Sequence, residues 1–156
     1  MAGKKKAHEP VHPRNLMEIR VKDVMNKRPR TVRPDTSIDG LLERMMTQIE
    51  VCFPVVGKDQ KLLGIVTESD LLQVLQPQIP EATIGSVLKE VMKSSARTVG
   101  EIMTARPITV TSNMRIAEAL NLMVTHKLRR LPVVDGGRLV GLLSLREIIE
   151  LYRVLR

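Results

Sequence analysis

Two short polar segments follow apolar stretches at equivalent places in the chain. In the first, Thr67 precedes Asp70 by three residues, and in the second, Ser144 precedes Glu147 by the same distance. A hydroxyl at the start of a helix, together with the unpaired backbone N–H groups there, can hold phosphate oxygens. A carboxylate one turn further on offers acceptor oxygens to both hydroxyls of a ribose. The same spacing also describes a helix capping box, which would explain both pairs without any ligand.

We predict ribose binding by Asp70 and Glu147, and phosphate binding by Thr67 and Ser144. Asp70 suits a ribose better, because glutamate is one methylene longer and fits a capping box more naturally. The site in the second half of the chain is therefore expected to be altered, weaker or empty.

Basic residues at the candidate site occur in the second half of the chain, whereas the better ribose ligand, Asp70, lies in the first half. Arg129 and Arg130 directly precede Leu131, whereas the matching segment at 48–52 contains no basic residue. A guanidinium group donates paired hydrogen bonds to phosphate, which makes Arg129 and Arg130 predicted phosphate ligands. A solvated charge run at a helix end, favoured by the helix dipole, is the alternative. One hybrid site, with Asp70 from one half and Arg129 from the other, is the hypothesis if the two halves share a cleft, as the family resemblance of the repeats implies.

These segments belong to an internal repeat. A shift of 78 residues aligns Met25 with Met103, and after one turn the shift becomes 77, so that Gly64 aligns with Gly141. Loops tolerate a change of one residue. A unit of about 55 residues is small for an independent core, so the two copies should pack face to face about an approximate two-fold axis.

Each repeat predicts the same order of elements: a short helix, a brief strand at 30–32 or 108–110, an amphipathic helix, two strands and a closing helix. Apolar residues at helical spacing indicate the first amphipathic helix, namely Ile38, Leu41, Leu42, Met45 and Met46. Asp35 and Ser112 are the predicted helix caps. The segment 135–137, Asp-Gly-Gly, predicts a hairpin turn.

The predicted organisation has four parts. A disordered basic tail occupies 1–16, the first repeat 17–76, a helical linker 77–98 and the second repeat 99–156.

Composition limits the functions that the chain can have. Its 156 residues carry a formal net charge of +8 and include no Trp, one Tyr and one Phe, so the core must be aliphatic. The single cysteine, Cys52, lies in an apolar run and is predicted to be a buried, unreactive thiol. No apolar run approaches the ~20 residues needed to cross a bilayer, and no secretory signal is present, which predicts a cytoplasmic location. Without a serine–histidine–acid arrangement, paired cysteines or a glycine-rich phosphate loop, we expect neither an enzyme nor a metal site.

The repeated pattern Ile-Met-x₃-Pro-x-Thr-Val, then Pro-Val-Val, then glycine, apolar residues and Ser/Thr-x₂-Asp/Glu, resembles the CBS domain, named after cystathionine β-synthase. Two such units in tandem resemble a Bateman module. The resemblance implies an α/β fold of two βαββα repeats packed with pseudo-two-fold symmetry. It also implies a regulatory module that binds AMP, ADP, ATP or S-adenosylmethionine in the cleft between the repeats and signals to a partner protein. No cofactor is required, and the expected partners are the adenine nucleotide, a second copy of the chain and an unidentified regulated protein.

An adenine ring would need a flat apolar slot with backbone hydrogen bonds, because the chain has almost no aromatic side chain for stacking. The predicted slot consists of small residues that the core needs equally: Thr31, Val32, Pro54, Val55, Ile108, Thr109, Val110, Pro132 and Val133. Two other functions stay open, a dimerisation module without nucleotide and nucleic-acid binding through the basic tail. The scarcity of aromatic residues argues against stacking on single strands.

Overall fold

The computed structural model describes residues 18–48, 50–75 and 97–155 as an α/β fold. The first repeat contains α1 (Val21–Val24), α2 (Ile38–Gln48), β1 (Cys52–Val56), β2 (Leu62–Thr67) and α3 (Glu68–Leu75). The second contains α4 (Val99–Ile102), β3 (Thr104–Ala105), α5 (Ile116–His126), β4 (Arg130–Asp135), β5 (Arg138–Ser144) and α6 (Leu145–Val154). The predicted tail at 1–16 and most of the predicted linker, 77–96, lie outside the described residues.

An antiparallel hairpin forms the centre of each repeat. Strands β1 and β2 pair with Cys52 opposite Thr67, and strands β4 and β5 pair with Arg130 opposite Ser144. Gly136 and Gly137 both have positive φ angles, 57° and 79°, which confirms the predicted hairpin turn. Each hairpin therefore carries the residue that starts its closing helix back beside the beginning of its first strand.

The brief strands expected at 30–32 and 108–110 are reduced to single bridges, which corrects that prediction. Val32 pairs in parallel with Val55, and Val110 with Val133. The Val32 N–H donates to the carbonyl of Pro54 at 3.1 Å, and the Val110 N–H donates to that of Pro132 at the same distance. Val32 and Val110 are buried although each pairs with its hairpin through a single bridge.

The short leading helix of each repeat packs into the core of the other repeat, an arrangement called the exchange of leading segments below. Val21 of α1 is fully buried in the core of the second repeat, beside Ile116 and Leu131, whereas Val99 of α4 is buried in the core of the first. The backbone follows the same symmetry, because the Val21 N–H donates to Met114 and the Val99 N–H to Thr36, at 2.9 and 2.8 Å. The exchange ties the two repeats together with pseudo-two-fold symmetry, and it confirms the expected packing of one repeat against the other.

The exchanged segments lie against a glycine in each hairpin. Strand β3 pairs with β2, placing Ala105 opposite Gly64, and Asn26 forms the matching bridge to Leu142 beside Gly141. A Cβ atom at Gly64 would lie 2.7 Å from the carbonyl oxygen of Thr104, and one at Gly141 would lie 2.9 Å from that of Asn26. Backbone atoms cannot move aside easily, so both glycines are needed for this close approach.

The start of each amphipathic helix differs from the expectation. Helix α2 begins at Ile38, where the Ser37 hydroxyl accepts a hydrogen bond from the Gly40 N–H at 3.0 Å. Helix α5 begins at Ile116 after Arg115. Asp35 and Ser112 lie further upstream in turns, so they are not the helix caps. Met46, expected on the buried face, is 81% exposed.

Candidate functional site

A cleft of about 650 Å³ lies between the repeats. Its walls come from both halves of the chain: Val51, Ile65, Thr67, Glu68, Ser69, Asp70, Thr104, Arg106, Pro107, Ile108, Lys127, Leu128, Arg129, Arg130 and Pro132. The size falls within the range of small-molecule sites in proteins. Because β3 joins the first repeat's sheet, the segment at 104–108 crosses from one sheet to the other and forms one wall.

The start of helix α3 forms the polar end of the cleft. Strand β2 ends at Thr67 and the helix begins at Glu68, as the sequence predicted. The Asp70 carboxylate accepts a hydrogen bond from the Thr67 N–H at 2.7 Å and from the Thr67 hydroxyl at 3.2 Å, both on Oδ2. The Glu68 N–H donates to the carbonyl of Val51 at 3.2 Å. The carboxylate therefore caps its helix through one oxygen, and its other oxygen can serve a ligand.

Basic side chains form the opposite wall. Lys127, with a φ of 55°, ends helix α5 in the left-handed conformation and turns the chain towards β4. Arg129 and Arg130 follow this turn, and Arg106 comes from the crossing segment. Within the described residues, none of these four cations forms an ion pair with a carboxylate. The cleft therefore holds four cations in the same cavity as the start of α3, where the helix dipole also favours an anion.

The apolar part of the cleft includes only some of the predicted adenine residues. Ile108 and Pro132 line it, together with Ile65, Pro107 and Leu128. The predicted valines are at most 2% exposed and belong to the two cores, namely Val32, Val55, Val110 and Val133. Their side chains consequently do not reach the cleft. Thr31, Pro54 and Thr109 are also absent from its walls, and the Thr31 carbonyl accepts a hydrogen bond from Arg44.

The start of helix α6 is arranged differently from that of α3. The Ser144 N–H donates to Glu147 Oε2 at 2.7 Å, and the Ser144 hydroxyl accepts from the Glu147 N–H at 3.4 Å. This pair is a complete capping box, whereas in the first repeat the hydroxyl donates to the carboxylate instead. Burial raises the pKa of the Glu147 carboxyl above its ordinary value. Glu147 is not among the residues that line either cavity described here.

A second, smaller cavity of about 460 Å³ adjoins the start of α6. Ser144 lines it together with Arg129, Arg130, Leu145, Arg146, Ile149 and Glu150. The two predicted phosphate-binding arginines thus border both cavities. Arg146 forms an ion pair with Glu150 at 3.3 Å. Arg129 and Arg130, the other cations that line this cavity, form no ion pair with any residue that the structure describes.

Cys52 is buried beneath the cleft at the start of β1. It is 2% exposed, and burial raises the pKa of its thiol to about 12. The prediction of a buried cysteine is confirmed. Within 18–48, 50–75 and 97–155, no group of three or more His, Cys, Asp or Glu side chains is placed to hold a metal ion. No helix in these ranges is long and apolar enough to span a membrane.

The paired architecture of the chain matches that of a known protein family. The profile of the CBS domain matches the chain twice, at residues 21–77 and 99–154. The chain belongs to the CBS domain family. Two CBS domains in tandem form a Bateman module, so both the resemblance and the α/β fold class expected from the sequence are confirmed.

Several relatives align with most of this chain. CBSX1, a chloroplastic CBS domain-containing protein of Arabidopsis thaliana, is 31% identical over 134 residues, covering 76% of this chain and 57% of the relative. This chain therefore spans little more than half the length of CBSX1. A CBS domain-containing protein of Dictyostelium discoideum is 31% identical over 137 residues, covering 86% of this chain and 92% of the relative. The crystal structure of CBSX2 of Arabidopsis thaliana in complex with AMP aligns with a TM-score of 0.75 at 30% identity, covering 88% of this chain and 98% of that chain.

The structure adds residues that the sequence reasoning missed. Glu68, Ser69 and Lys127 line the CBS-pair cleft beside residues that were singled out. Arg106 and Pro107 reach it only because the leading segments exchange between the repeats. Their position just before the second brief strand was visible in the sequence, but nothing local indicated which repeat they would contact.

Proposed function

We propose that this Bateman module is a regulatory protein that binds an adenine nucleotide in the cleft between its CBS repeats. The observation that carries the proposal is the meeting of Asp70 with Arg129 and Arg130 in one cleft, as the hybrid-site hypothesis requires. The crystallisation of the related CBSX2 with AMP supports the same ligand class. The candidates are AMP, ADP, ATP and S-adenosylmethionine, each acting as a regulatory ligand and none as a required cofactor.

The geometry suggests a role for each wall of the cleft. Adenine would lie against Ile65 and Ile108, which supply apolar surface. The Asp70 oxygen that is not engaged by Thr67 would accept from the ribose hydroxyls. Phosphate would meet the N–H groups of the first turn of α3, which have no acceptor within the helix, and Arg129 and Arg130 from the other side.

Thermal melting with each candidate ligand tests the proposal. A ligand present at 100 times its Kd should raise the free energy of unfolding by about 2.7 kcal/mol. Asp70→Asn should weaken this shift, because the amide keeps an acceptor for the Thr67 N–H but loses one ribose acceptor. Asp39→Asn, in the exposed first turn of α2, is the matched control. Absence of any shift at millimolar concentrations would favour a structural dimerisation module.

The proposed mechanism is regulatory and not catalytic. The segment at 104–108 joins the sheet of the first repeat to the core of the second, so a ligand that orders this cleft would bias the angle between repeats. An unidentified partner protein would respond to that change. The cytoplasmic location inferred from the sequence stays a prediction. The nucleic-acid alternative rests on the tail at 1–16, which lies outside the described residues.

Association into a homodimer is supported by exposed apolar side chains at equivalent positions of the two repeats. Met46 and Val124, which the shift of 78 residues aligns, are 81% and 71% exposed. Large apolar side chains that recur in this way on the outer helices favour a symmetric interface. The double variant Met46→Glu, Val124→Glu should dissociate the dimer in analytical ultracentrifugation. A wild-type chain that sediments as a monomer at all concentrations would contradict the proposal.

A further inference from the structure

Arg129 and Arg130 form the border between the two cavities. They line both the cleft of about 650 Å³ and the adjoining cavity of about 460 Å³. The carbonyl of Arg129 accepts a hydrogen bond from the Leu145 N–H at 2.8 Å, which fastens this border to the start of α6. A chain of phosphates that leaves a ribose at Asp70 would meet both arginines and find further space beyond them.

The charge of the cleft distinguishes among adenine ligands. Arg106, Lys127, Arg129 and Arg130 face two acidic residues, Glu68 and Asp70, so the lining carries an excess of two positive charges. S-adenosylmethionine brings a sulfonium cation into this field, whereas each additional phosphate brings negative charge. None of the four cations forms an ion pair with a carboxylate of the described residues, so each is available to pair with a phosphate oxygen.

The two arginines at the border differ in how firmly they are held. Arg130 is half-buried and is the first residue of strand β4, paired opposite Ser144. Arg129 lies in the preceding turn and is exposed. A half-buried side chain has fewer conformations to lose than an exposed one when it binds a phosphate. Arg130 is therefore the better candidate for discriminating among phosphate chain lengths.

We propose that the cleft selects adenosine polyphosphates, ADP and ATP, over AMP and S-adenosylmethionine. This inference rests on the proposed function. In this arrangement the α-phosphate lies at the start of α3, and the following phosphates cross Arg130 towards the second cavity. Arg130 is then the residue that determines specificity for the polyphosphate chain.

Isothermal titration calorimetry in magnesium-free buffer tests the inference. The probes are AMP, ADP, ATP and S-adenosylmethionine, with wild-type, Arg130→Ala, Arg130→Lys and Arg138→Ala chains. We expect wild type to bind ADP and ATP about tenfold more tightly than AMP, the factor that one charge-assisted hydrogen bond contributes. Arg130→Ala should bring the AMP and ATP affinities together, and Arg130→Lys should retain part of the preference. Arg138→Ala removes the same charge from the exposed start of β5 and should keep the wild-type ratio.

Two results would overturn the inference while leaving the proposed function intact. One is equal affinity of the wild type for AMP and ATP, and the other is an unchanged ATP preference in Arg130→Ala. Failure of all four ligands to bind would instead overturn the proposed function, and the inference with it. If Arg130→Ala does not fold, as judged by circular dichroism, the wild-type ratio and Arg130→Lys decide the question.

Discussion

The two repeats are alike where they pack and different where their closing helices begin. Val21 and Val99 enter opposite cores in the same way, and Gly64 and Gly141 receive the exchanged segments at the same close distance. At the helix starts, by contrast, the Thr67 hydroxyl donates to a carboxylate, whereas the Ser144 hydroxyl accepts from a backbone N–H.

The difference shows which constraints the exchange of segments imposes. A side chain that packs into the neighbouring repeat must keep its size, because close-packed interiors respond to a change of even one methylene. A helix start needs only acceptors for its free N–H groups, and the carboxylates of Asp and Glu can both supply one. The first repeat is therefore free to present Asp70 to a ligand while the second completes its own cap.

The largest effect on stability should come from substitution of Gly64 and Gly141, the two glycines that contact the exchanged segments. Gly64→Ala and Gly141→Ala should each lower the free energy of unfolding by about 1–3 kcal/mol, because the added Cβ would collide with the exchanged backbone. Urea denaturation measures the loss. Gly57→Ala is the control, since its Cβ would meet only the flexible side chain of Leu63, at 3.1 Å. A loss confined to one of the two repeats would show that their packing is not equivalent.

A smaller and unequal effect should follow from removal of the two hydroxyls. Ser144→Ala should cost about 1 kcal/mol of stability, the usual value for loss of an N-cap acceptor. Thr67→Val should cost less, because the Thr67 hydroxyl donates to the Asp70 carboxylate and is not the acceptor of a backbone N–H. Urea denaturation of both variants provides the comparison, with Thr67→Ser as the control. Equal losses would mean that both hydroxyls act as caps.

The pH dependence of the free energy of unfolding should reveal the burial of the Glu147 carboxyl. Since burial raises its pKa in the folded state, the native protein binds this proton more tightly than the unfolded chain. The contribution of Glu147 to stability therefore falls as pH rises through its folded pKa, and it is least favourable at neutral pH. Glu147→Gln should be stabilised relative to wild type at neutral pH, with the difference shrinking as pH falls. Glu43→Gln, on the exposed side of α2, is the matched control in urea titrations at several pH values.

The smallest effect is expected from chemical labelling of Cys52. The second repeat has Arg130 at the position equivalent to Cys52. With a pKa of about 12 and almost no exposure, the thiol should react very slowly with a disulfide reagent at pH 8 in the native protein. Labelling should become fast in denaturant. Equally fast labelling of the native chain would show that β1 opens readily.

The sequence by itself determined the order of the amphipathic helix, the two hairpin strands and the closing helix in each repeat, and the place of the predicted site residues along the chain. Periodicity located helix α2, the Asp-Gly-Gly segment located the second hairpin turn, and the change from apolar strand to polar helix placed Thr67 at the junction. These features depend on neighbours in the chain, which a sequence displays directly. The repeat, in turn, was sufficient to predict a CBS pair.

Only the tertiary structure decided which surfaces meet. Val21 and Val99 have the same side chain, so hydrophobic patterning marks both for burial without stating which core receives each. That choice brings Arg106 and Pro107 into the cleft, and it places Asp70 opposite Arg129 in one cavity. The predicted adenine valines are core residues because Val32 pairs with Val55 and Val110 with Val133 inside their own repeats. Burial is encoded locally, but the partner of a buried residue depends on how distant segments pack.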